Sequence, residues 1–140
     1  MALLIDQMAT YLAGQGEGTV GTDIFKTKRP AAPVACVSLH ATGGYPPPAY
    51  TRREFPTLMI SARAATPDAA VRKAYSIYNR LHRQSNLDLG GGLHALSILA
   101  VASPAYVGEE QAQAAVSGGA SQTAHLASFN VVVQLRTAST

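Results

Sequence analysis

The chain is predicted to fold as an α+β protein, a four-stranded sheet of two hairpins with two helices packed on one face. Three observations predict this class. Two segments repeat apolar residues at helical spacing, four segments have strand character, and the six follow one another in the order α-β-β-α-β-β. A length of 140 residues fits one domain, 1–140, with a single modest core.

The first helix and the first pair of strands occupy the N-terminal half. Residues 2–13 are predicted to form an amphipathic helix, because apolar residues recur there at helical spacing. Residues 34–40 and 55–63 are predicted to be strands. The segment between them, 42–54, contains two glycines and three consecutive prolines, which suit neither a helix nor a central strand. It is therefore expected to be a long, stiff loop.

The second helix carries the clearest start signal in the sequence. Thr66 is a suitable N-cap, Pro67 suits the first helical position, and Asp68 complements the helix dipole. The predicted apolar stripe consists of Val71, Ala74, Tyr75, Tyr78 and Leu81. A basic face consists of Arg72, Lys73, Arg80 and Arg83. We interpret this face first as solvated, and second as a surface for an acidic protein partner.

Two further strands and a long connection complete the chain. Residues 93–102 are apolar on both faces, which predicts a central strand. Residues 126–136 alternate clearly, so that Phe129, Val131 and Val133 should share the buried face with Leu135. The segment of about 103–125 is rich in small residues and low in complexity. A connection of that length in a small domain is expected to be a functional or disordered loop.

The composition favours a protein that has partners. Charged residues make up only 14% of the chain, and the net charge of +3 is too small to imply nucleic-acid binding. Cys36 is the only cysteine, which excludes an intrachain disulfide and is compatible with synthesis in a reducing compartment. The N-terminal stretch has no basic leader and contains Asp6, so it is expected to be neither a signal peptide nor a membrane span.

The sequence offers little for chemistry. Residues 16–21 match G-x-G-x-x-G, but a helix precedes them and a loop leading to a strand follows, so a tight turn is favoured over a dinucleotide site. The four histidines form no zinc-binding spacing, and no G-x-S-x-G elbow occurs. His82 is expected at the edge of the core and Cys36 inside a strand as a small buried hydrophobe. No enzyme activity, cofactor or metal is predicted.

Four short motifs, taken in order, resemble one known family. They are the G-T-x-G-T-D-x-F turn at 18–25, T-G-G-x-P-P at 42–47, E-x-P-T at 54–57, and A-x-x-I-Y-x-x-L-H at 74–82. This succession is similar to the minor capsid and tail-terminator proteins of long-tailed bacteriophages. The resemblance covers nearly the whole chain except residues 109–124. None of the motifs is specific alone, and their order and spacing carry the resemblance.

The resemblance implies a structural role without a cofactor. Terminator subunits assemble, usually as a hexameric ring, on the end of a finished tail tube, stop its polymerisation and offer a docking surface to the neck. The implied partners are further copies of the chain, the tail tube protein and a head-completion or neck connector protein. DNA would pass through the ring channel only as cargo, and no membrane is involved. The implied location is the tail-neck region of the virion, after assembly in the bacterial host cytoplasm.

The two long loops are the predicted contact surfaces. Tyrosine and arginine are the residue types that most often anchor interfaces, and the loops also carry carboxylates. The proposed interface residues are Tyr45, Tyr50, Arg52, Arg53, Glu109 and Glu110. Two other classes of function stay open: another neck component, such as a head-side connector or stopper subunit, and, less favoured, a nucleic-acid-binding module or enzyme.

Overall fold

Sheet dominates the fold. The computed structural model describes residues 3–28, 35–44, 53–90, 92–113 and 121–136, and these form two helices and eight strands. In chain order they are α1 (Leu4–Gly14), β1 (Ile24–Lys26), β2 (Cys36–Ala41), β3 (Arg53–Glu54), β4 (Thr57–Ala64), α2 (Pro67–Leu81), β5 (Gln84–Gly90), β6 (Leu93–Ala100), β7 (Ala105–Gln113) and β8 (Ser121–Arg136).

The predicted four-stranded architecture is wrong. The strands belong to one curled, mixed sheet with the path β1-β2-β4-β8-β6-β5, and β3 and β7 pair with β8 beside this path. The expected antiparallel pairs β2–β4 and β6–β8 are present within it, and β4 also pairs with β8. Four strands were missed because β1 and β3 have only three and two residues, while β5 and β7 are rich in polar residues.

The segment predicted to be a loop at 103–125 contains all of β7 and the first five residues of β8. Strand β8 is 16 residues long, and it is the axis of the sheet. Its C-terminal half pairs with β6, and its N-terminal half pairs with β7 on the same edge. Backbone hydrogen bonds to β8 therefore stabilise β7, although β7 supplies few apolar side chains of its own.

Both predicted helices form. The Thr66 hydroxyl accepts a hydrogen bond from Ala69 N–H at 3.2 Å, which confirms the predicted start of α2. Ala74 and Leu81 of the predicted apolar stripe are buried, but Ala70 and Ile77 join them there, whereas Tyr75 is exposed. Tyrosine tolerates partial exposure because its ring is apolar and its hydroxyl is polar. The aliphatic residues of α2 therefore pack against the sheet instead.

One core lies between the helices and the sheet. In β8 the predicted alternation is confirmed, since Phe129, Val131, Val133 and Leu135 are all buried. Met8 and Leu12 of α1, and residues of α2, pack in the same cluster. Cys36 of β2 is buried as predicted.

Candidate functional site

A two-stranded arm extends the sheet at one end. It consists of β7 and residues 121–128 of β8. Residues 121–124 lie beyond the point where β4 leaves β8, and among the described strands they pair with β7 alone. Four residues of strand span about 13 Å, which is how far the arm continues past β4. Gly108, with φ +152°, accompanies the bulge at Tyr106–Gly108 that bends β7.

The base of the arm is fixed to the sheet by a partly buried ion pair. Arg63 of β4 donates to the Glu110 carboxylate of β7 at 2.9 Å, and the Arg63 side chain is only 2% exposed. On the other face, the Tyr106 hydroxyl lies 2.9 Å from His125 Nδ1. The Arg63–Glu110 pair therefore ties β7 to β4, and the Tyr106–His125 contact joins the two strands of the arm to each other.

An exposed apolar corner lies where β6 gives way to β7. Leu99, Val101 and Val107 are 50%, 61% and 62% exposed, and Tyr106 is also exposed. We call these four residues the apolar corner. Leu99 lies opposite Val132 of β8, on the face of the sheet that turns away from the helices. By the strand register Tyr106 lies opposite the buried Ala127, on the helix-facing side of the sheet, so the corner exposes apolar side chains on both faces. Large exposed apolar side chains in a small protein are candidates for contact with a partner.

At the other end of β8, basic residues face each other across the strands. Arg53 of β3 is directly opposite Arg136, and both are exposed. His94 of β6 lies on the other side of Arg136. Like charges at opposed positions of a sheet destabilise it. We call Arg53 and Arg136 the basic pair.

The structure separates the residues that the sequence grouped as an interface. Tyr45, Tyr50 and Arg52 lie outside the described residues. Arg53 is in the basic pair, whereas Glu109 and Glu110 are on the arm at the opposite end of β8. Glu109 is exposed, but Glu110 is engaged by Arg63. The apolar corner was missed because its residues are divided between a predicted central strand and a predicted loop.

A second feature that the sequence did not indicate is a clamp around Glu17. Its side chain is 3% exposed, and its carboxylate accepts hydrogen bonds from Lys73 Nζ at 2.9 Å, Ser76 Oγ at 2.8 Å and Arg80 Nε. Lys73 also donates to the Glu17 backbone carbonyl. Two members of the basic face of α2 therefore bind this carboxylate, so the interpretation of a solvated face is wrong for them.

The clamp also sets the ionisation of Glu17. Burial raises the pKa of its carboxyl group, but hydrogen bonds from Arg80, Lys73 and Ser76 outweigh burial and hold the pKa below the ordinary value of 4.5. Glu17 is therefore charged at neutral pH, and it ties the turn after α1 to the middle of α2.

The G-T-x-G-T-D-x-F motif positions this clamp. The Thr19 carbonyl accepts three backbone N–H groups, from Thr22, Asp23 and Ile24, each at 3.1 Å. The Asp23 carboxylate accepts the Thr19 N–H. A Cβ on Gly18 would lie 2.5 Å from Asp23 Oδ1, so the turn requires glycine there. The motif is a closed turn, as predicted for 16–21, that delivers Glu17 to α2.

No group of three or more His, Cys, Asp or Glu side chains within the described residues could hold a metal ion. A pocket of about 310 Å³ is lined in part by Glu17, Arg63 and Lys73, but all three are engaged in ion pairs. None of the helices described is long and apolar enough to cross a membrane.

Comparison with known protein families gives a match over most of the chain. The sequence matches the family model of bacteriophage tail terminator proteins over residues 11–120. The matched span contains the closed turn, α2, the apolar corner and β7. No curated protein matches the chain.

Proposed function

This chain belongs to the bacteriophage tail terminator protein family, and from that premise we propose that it forms a ring that caps the tail tube. The family is one of structural virion proteins, so the chain is a structural component of the phage tail. In the proposed role the ring ends tube polymerisation and provides the docking surface for the head and neck. The role needs no catalysis and no cofactor.

The apolar corner is the observation that best supports this proposal. Leu99, Val101 and Val107 are each at least half exposed, and none of them belongs to the core between the helices and the sheet. Exposing them to water costs about 25 cal/mol per Å², which a partner surface would recover. We assign the corner to the contact with the tail tube protein. The interface residues predicted from the sequence remain proposals: Tyr45, Tyr50, Arg52, Arg53, Glu109 and Glu110.

The partners and the location follow the same proposal. Six copies would surround a channel, with the tube protein on one face and a head-completion or neck connector protein on the other. DNA would pass through the channel as cargo. The ring would assemble in the cytoplasm of the bacterial host and then remain in the tail-neck region of the virion.

A reconstruction of the virion neck tests the ring directly. The proposal expects six copies of this chain between the end of the tube and the head-side connector. A position on the head side of that connector would instead make the chain a connector or stopper subunit. Density for this chain outside any ring would refute the proposal.

A paired substitution tests the corner. Val101→Asp should fold, because this side chain is 61% exposed, but should abolish binding to purified tail tubes. Asn79→Asp is the control, since it adds the same charge at an exposed position of α2 that lies outside the corner. Equal tube binding by the two variants would exclude the corner as the contact.

A further inference from the structure

We propose that neighbouring copies of this chain join through an arm-to-base ion-pair contact, in which Glu109 of one copy meets Arg53 and Arg136 of the next. The contact rests on the proposed ring. It adds which surfaces of the chain close that ring and what chemistry joins them.

An inventory of the carboxylates singles out Glu109. All eight aspartates and glutamates fall within the described residues. Four form ion pairs, and two accept backbone N–H groups in their own turns. The ion-paired residues are Asp6, Glu17, Asp68 and Glu110, and the turn residues are Asp23 and Asp88. Glu54 and Glu109 remain, and no described cation pairs with either of them. Glu109 is the one of the two that lies on the arm.

The basic pair lacks an anionic partner among the described residues. Arg53 and Arg136 are directly opposite across β3 and β8, at a separation of about 5 Å between Cβ atoms. No carboxylate side chain of the described residues forms an ion pair with either guanidinium. A carboxylate placed between them would satisfy both, since each guanidinium presents several N–H donors. The pair is therefore suited to an acidic group from outside the molecule.

The two charged sites cannot meet within one copy. His125, opposite Glu109, and Arg136 are eleven residues apart on the same strand, or about 36 Å. The arm lies on the β6 edge of β8, whereas β3 lies on the β4 edge. A contact between such diagonal corners is head-to-tail, and head-to-tail contacts build rings when the rotation closes.

The backbone supports the same contact. Strand β7 has nine residues and, among the described strands, pairs only with β8. Strand β3 likewise pairs only with β8 among them. Pairing of the outer edge of β7 with the outer edge of β3 in the next copy would bring Glu109 towards the basic pair. It would also cover two strand edges that otherwise invite irregular association.

Charge reversal tests the proposal in particles. A phage lacking this gene is complemented with Glu109→Arg, with Arg53→Glu plus Arg136→Glu, or with both variants in one cell. Each variant alone should lower incorporation into particles by about tenfold or more, because losing a close ion pair at an interface weakens binding by at least that factor. Co-expression should restore incorporation, because the two variants alternate in a six-membered ring. Arg83→Glu, an exposed site outside the contact, should be incorporated normally.

A disulfide test separates this contact from the ring itself. In a chain carrying Glu109→Cys and Arg136→Cys, a bridge between these positions must join two copies, because a disulfide requires Cα atoms within about 7 Å. Oxidised particles should give a ladder of linked copies, and a Glu109→Cys, Arg83→Cys chain should give none. A ring with no ladder and no charge-reversal effect overturns the contact alone. Absence of the wild-type chain from any ring overturns the proposed function.

Discussion

Replacing Glu17 with alanine should lower the free energy of unfolding by about 3 kcal/mol. The carboxylate loses hydrogen bonds from Lys73, Ser76 and Arg80. A hydrogen bond to a charged group contributes about 1.5–3 kcal/mol when it is buried. The Lys73 and Arg80 side chains are 37% and 39% exposed, so water replaces part of each lost hydrogen bond, and each contributes about 1 kcal/mol. The hydrogen bond from Ser76 contributes about 1 kcal/mol more.

The loss is large enough to measure by thermal denaturation. Unfolding entropy is about 2.1 cal/mol/K per residue, or about 0.3 kcal/mol/K for this chain, so the melting temperature should fall by about 10 °C. Arg72→Ala is the control, because it removes an ion pair with Asp68 in which both side chains are 80% exposed. That pair contributes about 0.5 kcal/mol at most, or about 2 °C. Equal melting temperatures for the two variants would refute a stabilising clamp.

Three further predictions test the turn, the clamp and the strand phase. Ionised Glu17 should contribute its full stability above its unfolded pKa of about 4.5 and lose that contribution as the pH falls through its lower folded pKa. The melting temperatures of wild type and Glu17→Gln should therefore converge at acid pH. Gly18→Ala should cost about 1–3 kcal/mol through positive-φ strain and the clash in the closed turn, whereas Gly14→Ala meets open space and should melt like wild type. Val133→Asp should cost several kcal/mol because it buries a carboxylate, while Gln134→Asp should be tolerated; equal melts of this last pair would contradict the assigned face.

Local signals in the sequence predicted the elements that are stabilised locally. Thr66, Pro67 and Asp68 act within one helical turn, and the start of α2 was predicted correctly. The alternation of β8 reports which side chains enter the core, so its phase was also correct. These features depend on neighbouring residues, which a sequence displays directly.

Elements that depend on distant partners were not predictable in the same way. Strand β7 contains two glutamates, two glutamines and a glycine, and it is a strand because β8 supplies its hydrogen bonds. Lys73 and Arg80 have the sequence pattern of a solvated helix face. Their partner Glu17 lies 56 and 63 residues earlier in the chain, and only the fold brings it beside them. The family resemblance was identified because short motifs in a fixed order do not require knowledge of those contacts.

The interface residues show the same division. Arg53 and Glu109 were selected as interface types, but the sequence could not show that they lie at opposite ends of β8. Only the register of the sheet separates them. The sequence placed these residues on two predicted loops, and the structure shows how far apart one residue of each loop lies.

Tail length is the measurement that tests the account most directly. Cells infected with a phage that lacks this gene should contain overlong tails without heads in electron micrographs, and expression of the wild-type chain should restore uniform, joined tails. Tails of normal length attached to heads in the absence of this chain would contradict its role as a tail terminator.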